Sequence, residues 1–142
     1  MIWVNNEKVV GRSSYYVQQM FSLNRPDVNL KTELISFADT LSERVQAIGG
    51  YDYRSKEIVI KVLNGTGQEL SLNIELNACK VSGKGRVITL SAASDKLENS
   101  FDYPELIVPI QTISKSFSNN FLQIFKPYSF TILRVKAKNI DV

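Results

Sequence analysis

The 142-residue chain contains no histidine and only one cysteine, Cys79. Without histidine, Ser-His-Asp and Cys-His catalysis, two-histidine zinc sites and histidine-based pH switching are excluded. A lone cysteine makes neither an intramolecular disulfide nor a multi-cysteine metal cluster, and Cys79 reads as a small hydrophobe of the core or its margin. No apolar run approaches the ~20 residues of a membrane span, and the first residues lack the basic-then-apolar layout of a secretory signal. A soluble chain without membrane contact is expected, its compartment unspecified. Charge of one sign is also scarce: 17 Lys and Arg stand against 14 Asp and Glu, a net charge of +3. The basic residues are scattered rather than gathered in a stripe, which argues against a nucleic-acid partner. Nothing in the composition implies a metal or cofactor.

What is present describes an ordinary folded domain. Hydrophobic residues make up 44% and charged residues 22%, a balance that builds a packed core rather than a disordered chain. The length suits one domain, or one domain and a fragment of another. Near the start, Tyr16, Met20 and Leu23, flanked by Val17 and Phe21, fall at the spacing of one helical face. Ser13 or Ser14 can cap that helix, and Pro26 disfavours its continuation. The expected helix therefore runs from about Ser14 to Leu23.

From about Glu43 the period changes from 3.6 to 2. Leu70, Leu72, Ile74 and Leu76 alternate with Ser71, Asn73 and Glu75, so the first set should face a core and the second water. The run Glu57 to Leu63 precedes it, and Asn64-Gly65-Thr66-Gly67 between them has hairpin chemistry, predicting that the two runs pair antiparallel. A further turn at Tyr51 to Ser55 joins Arg44–Ile48 to Glu57–Leu63. More strands are expected at Arg86–Leu90, Ile107–Ile113, Phe121–Phe125 and Ser129–Val135. Many short strands with turn signals and no helical gaps indicate an all-β fold, an antiparallel β-sandwich preceded by one N-terminal α-helix. The boundary between the two parts lies near Asn24 to Lys31.

Three segments carry a resemblance. Ser14-Tyr15-Tyr16-Val17-Gln18-Gln19-Met20-Phe21-Ser22 comes first, then Leu97-Glu98-Asn99-Ser100-Phe101 with Pro104, Val108 and Pro109, then Pro127-Tyr128-Ser129-Phe130-Thr131-Ile132-Leu133-Arg134. In this order they resemble the C-terminal portion of family 51 α-L-arabinofuranosidases. The resemblance implies a jelly-roll type sandwich that packs against a catalytic (β/α)8 barrel as its partner. It also implies that residues 1–30 are the remnant of the barrel's closing helix and linker, and that residues 31–142 form the accessory sandwich. In that family the barrel performs retaining hydrolysis of terminal arabinofuranosyl groups from arabinan and arabinoxylan. Its two catalytic glutamates lie on barrel strands, and no residue here matches their motifs.

Physical chemistry leads to the same expectation of a non-catalytic chain. Retaining hydrolysis needs two carboxyls roughly 5–5.5 Å apart in a cleft, one of them held protonated. Asp52, Glu57, Glu69, Glu75, Asp95 and Asp102 instead sit beside turns or on polar strand faces, and the nearest tempting pair, Asp95 and Glu98, reads as solvated loop charge. Asn64-Gly65-Thr66 matches the glycosylation sequon, but turn chemistry accounts for it. The alternative function is a free-standing carbohydrate-binding module, with Tyr51, Tyr53 and Tyr103 as candidate stacking platforms for a polysaccharide. The remaining candidate surface is Trp3, Tyr16, Val17, Met20, Phe21 and Leu23. That face would meet the barrel, fold back onto the sandwich, or pair with a second copy as a homodimer. The expected outcome for activity is that the purified chain leaves aryl arabinofuranosides and arabinan intact. Turnover abolished by substituting Asp95 or Glu98 would contradict it.

Overall fold

In β5, Glu57–Asn64, six consecutive residues from Glu57 to Val62 are buried. A strand presents successive side chains to opposite faces, so such a run must be covered on both sides. The rest of the architecture supplies those two covers. The structure is a computed structural model that describes residues 2–4, 9–11, 13–33, 44–91 and 109–140, with 2–4, 9–11 and 13–15 described as backbone only.

The other elements, in chain order, are β1 (Ile2–Val4), β2 (Val9–Gly11), α1 (Ser13–Leu23), β3 (Val28–Leu30), β4 (Val45–Asp52), β6 (Leu70–Glu75), β7 (Lys80–Ser91), β8 (Ile110–Ser114), β9 (Asn120–Phe125) and β10 (Ser129–Lys138). The central layer is a six-stranded sheet of order β3-β4-β5-β10-β7-β8, antiparallel at every step. β6 and β9 pair antiparallel as a separate two-stranded sheet, and β1 pairs with β2. Ile58, Ile60 and Val62 of β5, Leu133 and Val135 of β10, and Val45 and Tyr51 of β4 form the inner core with Leu70 and Phe125 of the β6–β9 pair. On the outer face Val59, Leu90, Phe130 and Ile132 pack against Met20 of α1, with Tyr16 and Val17 half-buried beside them. The fold is thus an antiparallel β-sandwich with its N-terminal helix laid across the outside of the larger sheet.

The helix occupies the expected span. The turn between β4 and β5 also forms where expected: the Arg54 amide donates to Asp52 Oδ1 at 3.0 Å, and Lys56 takes the left-handed conformation with φ 56°. Leu70 is buried, Leu72, Ile74 and Leu76 are half-buried, and Ser71, Asn73 and Glu75 are exposed, as the alternation predicts.

The partner expected for that strand is wrong. β5 pairs with β4 and β10, while β6 pairs with β9 through Leu70↔Phe125, Leu72↔Gln123 and Ile74↔Phe121. The segment 65–69 is a crossover between layers, not a hairpin turn. Asn64 decides this. It is fully buried, its Nδ2 donates to the carbonyls of Gln68 and Lys126 at 2.9 Å each, and its Oδ1 accepts from the Thr66 hydroxyl at 2.6 Å. The side chain thereby ties the end of β5 to the end of β9. Neither Gly65 nor Gly67 has the positive φ of a tight hairpin. The same burial closes the sequon, because the amide nitrogen that would carry a glycan faces the interior.

β7 starts six residues before the expected Arg86, running through Gly83 at φ +90° and past a register shift between Val135 and Ala137 on β10. β3 adds a short edge strand at the expected boundary, pairing Val28↔Tyr51 and Leu30↔Gly49. Asp95, Glu98 and Tyr103 lie outside the described residues. Among those described, no helix is long and apolar enough to cross a membrane.

Chemical denaturation checks the assignment of faces. Leu133 is fully buried in the inner core, so Leu133→Ala is expected to cost about 2–5 kcal/mol, whereas Asn73→Ala on the exposed face of β6 should stay within about 0.5 kcal/mol.

Candidate functional site

The seat of α1 is built around a buried cation. Arg134 projects from the outer face of β10 with 4% of its surface exposed. Its Nε donates to Glu57 Oε1 at 2.9 Å, its Nη2 to Asp52 Oδ2 at 2.8 Å and Ser55 Oγ at 3.1 Å, and its Nη1 to Asn24 Oδ1 at 3.0 Å. A rigid guanidinium fork suits such a divergent set of acceptors. Asn24 in turn closes the helix: its Nδ2 and its backbone amide both donate to the Met20 carbonyl, at 2.9 and 3.1 Å. These bonds satisfy a carbonyl left over at the helix C-terminus. One arginine therefore joins the end of α1 to the β4–β5 hairpin. Burial pushes the Asp52 carboxyl up, but hydrogen bonds from Ser55, Arg134 and the Arg54 amide outweigh it and hold its pKa below the ordinary value.

With its C-terminus pinned there, α1 leaves a groove along its flank. Val17, Phe21, Gln46, Ala47, Ile48, Lys61, Leu63 and Phe130 line a volume of about 160 Å³. Phe21 stacks on Phe130, the ring centroids 5.0 Å apart and the planes 16° from parallel. Lys61 Nζ lies 4.5 Å from the centroid of the Phe21 ring, in reach of its negative face. Burial pulls the Lys61 pKa down, and the like charge of Arg134 adds to the effect. An apolar wall with one buried cation and no carboxylate can bind but has no acid–base pair for hydrolysis. Among the described residues no cluster of His, Cys, Asp or Glu could hold a metal ion.

The sequence candidates separate in space. Met20 is buried against the sheet, Tyr16 and Val17 are half-buried, and Phe21 and Leu23 remain exposed at 42% and 72%. Trp3 lies in β1, of which only the backbone is described. Tyr51 is not a stacking platform: it is 6% exposed, and its hydroxyl donates to the Ala137 carbonyl at 3.1 Å. The apolar register of β4, which sets Tyr51 opposite Ile58, directs its ring into the core. Tyr53, beyond the end of the strand, is exposed and meets Tyr51 edge to face.

Sequence reasoning missed Ile48, Lys61, Leu63 and Phe130. A signal existed in the apolar residues Ile58-Val59-Ile60 and Val62-Leu63 on either side of Lys61, since a strand apolar on both faces requires cover on both.

A family model for the alpha-L-arabinofuranosidase C-terminal domain matches residues 1–129. The chain is 28% identical over 141 residues to alpha-L-arabinofuranosidase 1 of Arabidopsis thaliana, covering 94% of this chain and 20% of that protein. It is 27% identical over 100 residues to an extracellular exo-alpha-L-arabinofuranosidase of Streptomyces chartreusis, covering 70% of this chain and 12% of that protein. The chain thus spans at most about a fifth of the curated relatives it matches. An arabinose-bound α-L-arabinofuranosidase of glycoside hydrolase family 51 superposes over 96% of this chain and 21% of its own, with TM-score 0.86 and 20% identity. The arabinose complex of the Thermotoga maritima enzyme does so over 95% and 31%, with TM-score 0.82 and 16% identity. At that identity the structural likeness establishes a shared fold.

Two measurements probe the arginine. Arg134→Met leaves the buried Glu57 without its ion-pair partner and is expected to cost about 3–5 kcal/mol in urea denaturation. Because the folded pKa of Asp52 is lowered, its contribution to stability is complete above the ordinary value of 3.8 and is lost as pH falls through the folded pKa. Stability should therefore decline in that acid window, and Asp52→Asn should make the decline shallower.

Proposed function

The chain belongs to the alpha-L-arabinofuranosidase C-terminal domain family, and from that premise we propose that it is the accessory sandwich of an α-L-arabinofuranosidase. In this reading it supports a catalytic barrel that removes terminal arabinofuranosyl groups from arabinan or arabinoxylan, and the hydrolysis belongs to the barrel. Residues 1–30 supply the connection to the barrel, their last residues Val28–Leu30 joining the sheet as its edge strand, and residues 31–142 supply the rest of the sandwich. The observation that carries the reading is the divided face of α1. Met20, with Tyr16 and Val17, packs onto the chain's own sheet, while Phe21 continues outward into an apolar surface with Ile48 and Leu63, exposed at 54% and 43%. A surface of this kind, contiguous with a groove and free of acid–base machinery, suits protein docking rather than chemistry.

Sugar binding by the sandwich has less support, since Tyr51 is withdrawn into the core and, of the candidate tyrosines among the described residues, Tyr53 alone is exposed. Self-association through the α1 face is the competing use of the same surface.

Sedimentation of the chain mixed with a separately produced catalytic barrel of a family 51 α-L-arabinofuranosidase tests the proposal. A one-to-one complex is expected, weakened at least about tenfold by the pair Ile48→Ser and Leu63→Ser, both on the exposed rim of the groove, while the melting temperature of the chain alone changes little. Absence of a complex, or a homodimer that excludes the barrel, overturns it.

A further inference from the structure

Lys61 is the one ionisable side chain among the described residues that line the groove. It is 6% exposed, yet among the described residues no carboxylate, carbonyl or hydroxyl accepts a hydrogen bond from its ammonium, which has only the Phe21 ring at 4.5 Å. An ammonium offers three donors. One aromatic face meets them only in part, and the ammonium keeps an edge open to solvent at the mouth of the groove. Among the described residues, Glu57 and Asp52 on the same sheet face are already engaged by Arg134. Around the ammonium the walls are apolar: Val17, Phe21, Ala47, Ile48, Leu63 and Phe130.

We infer that the groove receives a carboxylate side chain carried on an otherwise apolar segment of the catalytic domain, the carboxylate pairing with Lys61 Nζ while its apolar flanks cover Phe21, Ile48 and Leu63. The inference rests on the reading that this sandwich docks on that domain, and it specifies the chemistry of the contact. Charge complementarity selects the occupant. A second copy of this chain, docked face to face, would bring two Lys61 ammoniums to one symmetric interface and add like-charge repulsion. A wholly apolar segment would seal the ammonium from water and give it no acceptor. An acidic residue with apolar neighbours satisfies both the cation and the walls. Burial already draws the Lys61 pKa below its ordinary value, and a carboxylate arriving in the groove would raise it again.

The test reads the groove directly. The chain is titrated with pentanoate, a carboxylate on a short alkyl tail, and with pentan-1-ol as its neutral counterpart, following the methyl resonances of Val17, Ile48 and Leu63. Pentanoate is expected to shift these signals at concentrations at least about tenfold lower than pentanol, and the preference should vanish in Lys61→Met and persist in Lys61→Arg. Equal response to the two probes, or a preference that survives Lys61→Met, overturns the inference. Lys61→Met keeps an unbranched apolar stem under Phe21, and an unchanged melting temperature separates loss of the charge from loss of the fold. Sedimentation with the catalytic barrel distinguishes this inference from the docking reading beneath it. A complex that forms with undiminished affinity in Lys61→Met overturns the carboxylate contact and leaves docking in place. Selective pentanoate binding without any complex removes the barrel as occupant, and so overturns the inference as well.

Discussion

The guanidinium of Arg134 is the point on which the geometry of the outer face depends. It sits under the end of α1 and meets Glu57, Asp52, Ser55 and Asn24 at once. Two of these partners flank the β4–β5 turn, one lies within it, and the fourth caps the helix. A cation this deep is tolerated because two carboxylates share it and its donor directions are used. Hydrophobic contact alone would hold α1 on the sheet but would not set its position along the strands, because apolar burial is non-directional. The arginine supplies direction, and the groove beside the helix follows from where the helix is stopped.

The six-stranded sheet is consequently a middle layer. Its inner face closes against the β6–β9 pair and its outer face against α1, which is why β5 and most of β10 are buried on both sides. Two-sided burial has a functional corollary. The strands that carry the core have little surface left for recognition, and exposed apolar side chains gather at the rim of the helix, where Phe21, Ile48 and Leu63 meet, as well as on β8 at Ile110 and Ile113 and on β9 at Leu122 and Ile124. A domain with an open apolar surface on the flank of its own packed helix is suited to being one wall of a larger interface.

Two polar side chains in the interior do opposite work. Asn64 is satisfied within the chain, and its contacts with Thr66, Gln68 and Lys126 turn a turn-like tetrapeptide into a bridge between layers. Lys61, three residues earlier and on the opposite face, is held by an aromatic ring and otherwise turns toward the groove. The first is architecture, and the second gives the surface a sign of charge.

The periodicity of the chain alone determined the helix near Ser14 to Leu23, the strands from β4 onward apart from the first half of β7, the turn before Glu57 and the inward set Leu70, Leu72, Ile74 and Leu76, because these depend on local spacing and residue type. The absence of histidine and the lone Cys79 excluded several chemistries for the same reason, since composition needs no fold to be read. Strand partners were not legible: period 2 tells which face a side chain takes but not which strand lies beside it, and β6 has the same alternation whether it pairs with β5 or with β9. Only the tertiary structure decided that Asn64 crosses layers, that Tyr51 points inward while Tyr53 does not, and that Arg134, far from Asn24 in sequence, caps the seat of the helix. The groove belongs to the same class. Val17, Ile48, Lys61 and Phe130 come from four separate elements, and their meeting is set by packing, which no local pattern encodes.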